Sequence, residues 1–74
     1  MQPTEIEGIA RTVLRDYGLS FQIDAVSPEQ TGHCTVAFSD ALSGVIVRVG
    51  VWCDAKVSPY HVRESLKRGL QVSE

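Results

Sequence analysis

Apolar residues in the first part of the chain recur at intervals of three and four positions. This spacing places them on one face of an amphipathic helix, which we predict at residues 4–17. Thr4 and Glu7 have the spacing of a capping box at the start of this helix, and Gly18 can supply the left-handed residue that ends it. The apolar face consists of Ile6, Ile9, Ala10, Val13, Leu14 and Tyr17.

The pattern changes to a period of two in three later segments, which predicts β-strands at residues 20–26, 33–38 and 45–53. Short segments with proline or glycine separate these strands, so successive strands are expected to pair as antiparallel hairpins. Matching the apolar faces of the second and third strands sets Val36 opposite Val49. The predicted core-facing side chains of these two strands are Cys34, Val36, Phe38, Val45, Val47, Val49, Val51 and Cys53.

A second helix is predicted at the end of the chain. Ser58 has the N-cap position and Pro59 the first helical position, and a narrow apolar stripe follows at Val62, Leu66 and Leu70. The element order is therefore α-β-β-β-α, which predicts a two-layer α+β fold with both helices on one face of an antiparallel three-stranded sheet. The chain length suffices for a single small domain spanning residues 1–74.

The α-β-β-β-α order and the length of the chain resemble the double-stranded-RNA-binding-like fold. Members of that family that bind duplex RNA have a Gly-Pro-x-His turn between the first two strands and a Lys-Lys-x-Ala-Lys start to the last helix. This chain has Gly32 and His33 without the proline, and only Arg63 falls where the helix start of the family has a lysine. The resemblance therefore implies the fold, whereas most of the charge that RNA binding requires is missing.

The charge of the chain bears on the same question. Seven basic and nine acidic residues give a net charge of −2, the opposite sign to that of a typical phosphate-binding domain. Residues 45–74 nevertheless hold five basic residues and three acidic ones. Nucleic-acid binding is therefore kept as the alternative function, and its candidate residues are Lys56, Arg63, Lys67 and Arg68.

The sequence has no apolar run long enough to span a membrane and no signal-peptide pattern, so we expect a cytoplasmic protein without a membrane partner. Cys34 and Cys53 match neither a CxxC redox motif nor a zinc-site spacing, so neither a metal nor a cofactor is expected. The strand register sets the two cysteines diagonally on the inner face, with about 7 to 8 Å between their Cβ atoms, which is too far for a disulfide. We therefore predict two buried free thiols.

The sheet face turned away from the helices carries the most unusual feature of the sequence. The register places His33 opposite Trp52 and Ala37 opposite Arg48, and a loop at residues 27–32 sets Val26 beside His33. Tryptophan and arginine are enriched at the centres of protein interfaces. We therefore predict a partner-binding surface that consists of Trp52, His33, Val26, Ile46 and Arg48.

Two other functions compete for this surface. Asp24, Thr35 and His33 could orient an imidazole for acid–base catalysis, but no nucleophile or oxyanion donor accompanies them. Trp52 and Arg48 could stack on single-stranded bases, although such sites use several aromatic platforms. The expected function is therefore a non-enzymatic protein interaction module, most simply one that forms a homodimer. Edge-to-edge pairing through the third strand is a variant of this arrangement.

Overall fold

A computed structural model describes residues 1–72 of the chain. It confirms the predicted α+β class and the order α-β-β-β-α, with the three strands in one antiparallel sheet of order β1-β2-β3. Ser73 and Glu74, the end of the predicted domain, lie outside the described residues. The elements are α1 (Pro3–Asp16), β1 (Phe21–Gln30), β2 (His33–Asp40), β3 (Ile46–Trp52) and α2 (Pro59–Gly69).

Helix α1 begins one residue earlier than the sequence pattern predicts. Pro3 is the first helical residue, since its fixed φ suits that position, and Gln2 is the N-cap without a side-chain hydrogen bond. The predicted capping box of Thr4 and Glu7 is therefore wrong. The other end is confirmed, because Gly18 has a φ of 61° and the N–H of the next residue donates to the carbonyl of Leu14 at 2.9 Å.

Helix α2 begins as predicted. Ser58 is the N-cap, and its hydroxyl accepts a hydrogen bond from the backbone N–H of His61 at 3.2 Å. Gly69 is still helical and has a packing role, because a Cβ built on it would lie 2.5 Å from a methyl carbon of Val49. The glycine therefore lets α2 approach β3 closely. Neither helix of the described chain has the length and apolar character needed to cross a membrane.

Both helices cover the same face of the sheet. The buried residues of α1, α2, β2 and β3 form one cluster. Phe38 belongs to it, and its ring also meets the ring of Phe21 edge-to-face, with the ring centroids 6.3 Å apart. Val45 is the exception to the predicted inner series, because it lies before β3 and is 53% exposed. The buried apolar residues are Ile6, Ala10, Val13, Cys34, Val36, Phe38, Val49, Val51, Cys53, Val62, Leu66 and Leu70.

The predicted pairing of β2 with β3 is confirmed along its whole length, including His33 opposite Trp52 and Val36 opposite Val49. The pairing of β1 with β2 is different from the prediction. Strand β1 continues through Pro28 to Gln30, so the six-residue loop predicted between the strands shrinks to a tight turn. An edge strand can contain proline, because the side that lacks a donor need not pair.

The cysteine prediction is confirmed in one respect and wrong in another. Cys34 and Cys53 are both buried on the inner face, as expected. Their sulfur atoms, however, lie only 2.9 Å apart. Strand β3 ends at Trp52, so Cys53 lies where the backbone leaves the strand and the ideal diagonal spacing does not apply.

Candidate functional site

Four of the five predicted partner-binding residues lie on the outer face of the sheet. Ile46 and Trp52 are the two large apolar side chains there, 66% and 53% exposed, and they stand at opposite ends of β3. Arg48 is exposed between them, whereas His33 on the neighbouring strand is half-buried. The alternation of β3 produces this arrangement, because Val47, Val49 and Val51 turn towards the helices.

His33, Trp52 and Gly50 form a small aromatic cluster on this face. The imidazole and indole rings meet edge-to-face, with centroids 4.9 Å apart and an interplanar angle of 77°. A Cβ on Gly50 would lie 2.9 Å from the imidazole Cε1. The missing side chain at Gly50 therefore provides the space that the His33 ring occupies, and the ring in turn covers one side of Trp52.

Val26 does not belong to this surface, which corrects the prediction. It pairs with Val36 and packs against the core beneath the helices. The cause is a bulge between Ile23 and Ala25, which inserts one residue into β1 and reverses the face to which the following residues point. Ala25 and Ser27 occupy the outer face in its place, and both are exposed.

The same bulge separates Asp24 from His33 and Thr35, the other candidate residues for acid–base catalysis. Asp24 accepts a hydrogen bond from the hydroxyl of Ser39 at 3.0 Å and one from the Gln22 amide at 3.5 Å. Ser27, not Asp24, is the residue opposite Thr35. The carboxylate is therefore engaged near the other end of β2 and does not orient the His33 imidazole.

The free edge of β3, through which edge-to-edge pairing is expected as a variant, is the second feature of the site. The N–H of Cys53 donates to Gly32, and Val45 accepts from the N–H of Asp40, both at 2.8 Å. Because backbone groups alternate along a strand, odd-numbered residues of β3 direct their N–H and C=O groups towards β2. Even-numbered residues, from Ile46 to Trp52, direct theirs away from the sheet, and no strand within residues 1–72 pairs with that edge.

The loop between β2 and β3 adds more exposed apolar surface beside Ile46. Leu42 is 86% exposed, and Val45 is also exposed. Asp40 orders this loop: it accepts hydrogen bonds from the Leu42 N–H at 2.9 Å and from the hydroxyls of Ser20 and Ser43. The bond from Leu42, followed by that from Ser20, lowers the pKa of Asp40 from its usual value. The sequence predicts a turn at residues 40–44 but places Val45 in the third strand facing the core, so the exposure of Val45 beside Leu42 was not predicted.

The four basic residues of the alternative function are in different environments. Arg63 forms an ion pair with Asp16 at 3.1 Å and lies over the ring of Tyr17. Lys67 is buried and bonds Glu64 at 3.0 Å, and a hydrogen bond with Tyr17, then that with Glu64, raises its pKa. Both cations are thus engaged in holding α1 and α2 together. The other two candidates, Lys56 and Arg68, are exposed.

Comparison of the chain with protein-family models, with curated proteins and with solved structures finds no match. Over residues 1–72, no three His, Cys, Asp or Glu side chains come together in a way that could hold a metal ion. What the outer face offers is an aromatic cluster, two exposed apolar side chains and an unpaired strand edge.

Proposed function

We propose that the chain is a small non-enzymatic interaction module that associates with a second copy of itself by antiparallel pairing of β3 with β3. The observation that carries this proposal is the free backbone edge between two exposed apolar residues, Ile46 and Trp52. An unpaired edge of high β-propensity is a ready template for another strand. Natural edges are usually blocked by proline, charged side chains or a bulge; β3 has no proline and no bulge, and Arg48 is its one charged residue.

The positions along β3 favour one register for such a pairing. A two-fold axis at Val49 overlaps the full length of both strands, and it sets Arg48 opposite Gly50 of the second copy. An axis at Arg48 would instead place two arginines directly opposite each other on one face, which is unfavourable. An axis at Gly50 would leave Ile46 without a partner residue in the opposite strand.

The register centred on Val49 also explains why both ends of the strand carry large apolar side chains. Ile46 of one copy lies opposite Trp52 of the other, and the symmetry repeats this pair at the far end. Each indole would then contact His33 of its own chain on one side and an isoleucine on the other. Pairs of aromatic and β-branched side chains contribute about 0.2 to 1 kcal/mol each across strands.

The contact is expected to be weak and reversible. Pairing one short strand along a single edge buries less than the roughly 1,200 Å² that marks the lower limit of standard stable interfaces. The side-chain contacts are also few, with only Ile46 and Trp52 contributing large apolar area. We therefore expect association in the micromolar range or weaker, which makes protein concentration the variable to test.

Nucleic-acid binding is the less favoured proposal. Arg63 and Lys67 are engaged in ion pairs within the chain, which leaves Lys56 and Arg68 as the exposed candidates. Two cations supply far less than the roughly six to ten phosphate contacts on which counterion-release binding at physiological salt draws. Sub-micromolar binding to duplex RNA at about 0.15 M salt would support the alternative instead.

The proposal is tested by light scattering after size-exclusion chromatography over a concentration series. The wild-type chain should rise from the monomer mass towards twice that mass. Arg48→Pro removes an N–H that faces the free edge, so it should stay monomeric while keeping its circular dichroism spectrum. The matched control Arg48→Ala removes the same charge but keeps the N–H, and it should still associate.

Two results would contradict self-association through β3. One is a wild-type chain that stays monomeric up to millimolar concentration. The other is a folded Arg48→Pro variant that associates as strongly as the wild type. If Arg48→Pro does not fold, Trp52→Ala supplies the test, because it removes an apolar anchor and leaves the backbone edge intact; it should shift the association to higher concentration.

A further inference from the structure

Two thiols lie side by side on the inner face of the sheet, at the end where β2 begins and β3 ends. Cys34 is the second residue of β2, next to the tight turn that joins β1 and β2, and Cys53 follows directly after β3. Their sulfur atoms are 2.9 Å apart, and the Cys53 N–H donates to the Gly32 carbonyl at 2.8 Å, which fixes the two strands at this point. A disulfide bond is about 2.05 Å long, so under about 1 Å of change in the sulfur separation would close it.

Both cysteines also line a depression in the surface. Its volume is about 340 Å³, and its other walls come from the start of the chain, the end of β1, the β1–β2 turn and the loop after Cys53, including Met1, Gln30, Gly32 and Asp54. The residues themselves are largely buried, with 3% of Cys34 and 8% of Cys53 exposed. A small reagent in the depression would therefore meet Cys53 more readily than Cys34.

We infer that Cys34 and Cys53 are a reversible modification site that closes to an intramolecular disulfide on reaction with a low-molecular-weight disulfide. In the first step the thiolate of Cys53 attacks the reagent, forms a mixed disulfide and releases one thiol. In the second step the thiolate of Cys34 attacks the Cys53 sulfur and releases the second thiol. The two cysteine sulfurs lose two electrons to the reagent, and their two protons pass to the two thiols released.

The environment of Cys34 sets the speed of the second step. Burial, together with the hydrogen bond and the charge of Cys53, raises the pKa of Cys34 to about 11. The hydrogen bond and charge of Cys53 are lost once its sulfur is in the mixed disulfide, but burial, the largest cause, remains and keeps the pKa of Cys34 raised. Little of this group is therefore thiolate at neutral pH, so closure should be slow at pH 7 and faster by up to roughly tenfold at pH 8. Once the first step has occurred, the short distance between the sulfurs favours the second step over reaction with another molecule.

The disulfide would link β2 to the segment between β3 and α2, at the end of the sheet. It would enclose the β2–β3 hairpin, with 18 residues between the two cysteines. Crosslinks of this loop length usually stabilise a folded domain, and for a chain of this size the midpoint of thermal unfolding should rise by on the order of 10 °C. Closure at this site does not require a second copy of the chain.

The experiment compares the reduced protein with protein incubated with oxidised glutathione, at pH 7 and pH 8. Intact mass should fall by two hydrogens without an added glutathione, both cysteines should resist alkylation in denaturant, and the unfolding midpoint should rise. Dithiothreitol should reverse all three changes. Cys34→Ser keeps the first step but removes the second, so it should stop at the glutathione adduct of Cys53.

Several results would overturn the inference. The wild-type chain could retain two alkylatable thiols, or stop at a glutathione adduct with the other thiol still reactive. Crosslinked dimers without the intramolecular species would also contradict it. Circular dichroism of the oxidised protein tests whether the disulfide forms in the native fold. A disulfide that forms only after unfolding would abolish the native spectrum, and that result would also contradict the inference.

Discussion

The two faces of the sheet are made by alternate residues of the same strands, yet they differ in almost every physical property. On the inner face of β3, Val49 and Val51 are buried beneath α2, and a glycine in the helix allows the close approach. On the outer face, Ile46 and Trp52 are exposed, and their backbone groups point to an unpaired edge. One face holds the fold together, and the other presents large apolar side chains to solvent.

The two faces should differ most in the stability that is lost when an aromatic side chain is replaced by alanine. Phe38→Ala on the inner face removes a ring that is fully buried, so we expect a loss of about 3 to 5 kcal/mol in the free energy of unfolding. Trp52→Ala on the outer face removes a half-exposed ring and its contact with His33, which should cost about 1 kcal/mol. Urea denaturation at a concentration where the chain is monomeric measures both, and equal losses would contradict the division of roles.

A smaller difference in stability is expected between alanine substitutions at two helical glycines. Gly69→Ala forces a methyl group to within 2.5 Å of Val49, and the resulting displacement of α2 should cost about 1 to 3 kcal/mol. Gly8→Ala is the matched control in α1, where nothing lies within 4 Å, and it should stabilise the chain by up to about 1 kcal/mol through helix propensity. Thermal unfolding of both variants provides the comparison. Stabilisation by Gly69→Ala would show that close packing on the inner face does not require glycine there.

The smallest expected effect on stability concerns Asp40, the last residue of β2, whose carboxylate accepts hydrogen bonds from the β2–β3 loop. Its pKa is lower in the folded chain than the usual 3.8, so its charge contributes stability above about pH 4, and that stability is lost as the pH falls through the folded pKa. Asp40→Asn keeps an acceptor for the Leu42 N–H but removes the charge. The urea midpoints of variant and wild type should differ at pH 7 and converge as the pH falls below the folded pKa of Asp40. A constant difference across this range would show that the charge is not the cause.

The register of β2 with β3 could be predicted from the sequence because neither strand has a bulge and both have a clear apolar face. The register of β1 could not be predicted. Ala25 and Val26 suit either face of a strand, and nothing in the residues around Asp24 marks the extra position that turns Val26 towards the core. The outcome depends on the packing of β1 beneath α1, which a pattern along one strand does not contain.

For similar reasons, only part of the candidate site could be predicted from the sequence. Strand parity places Trp52, Arg48 and Ile46 on the outer face, and the structure agrees. The distance between Cys34 and Cys53 was wrong because ideal strand geometry ends where Cys53 leaves the sheet. The role of Gly69 was also hidden, because the sequence shows a glycine near a helix end but not the valine that lies against it.

The most direct test of self-association through β3 is amide hydrogen exchange measured residue by residue at increasing protein concentration. The N–H groups of Arg48 and Gly50 point to the free edge, so they should exchange rapidly in dilute protein and become protected as the concentration rises. Those of Val49 and Val51 point to β2 and should be protected throughout. If Arg48 and Gly50 exchange at the same rapid rate while light scattering shows that the chain has associated, the contact lies elsewhere and the proposed pairing is wrong.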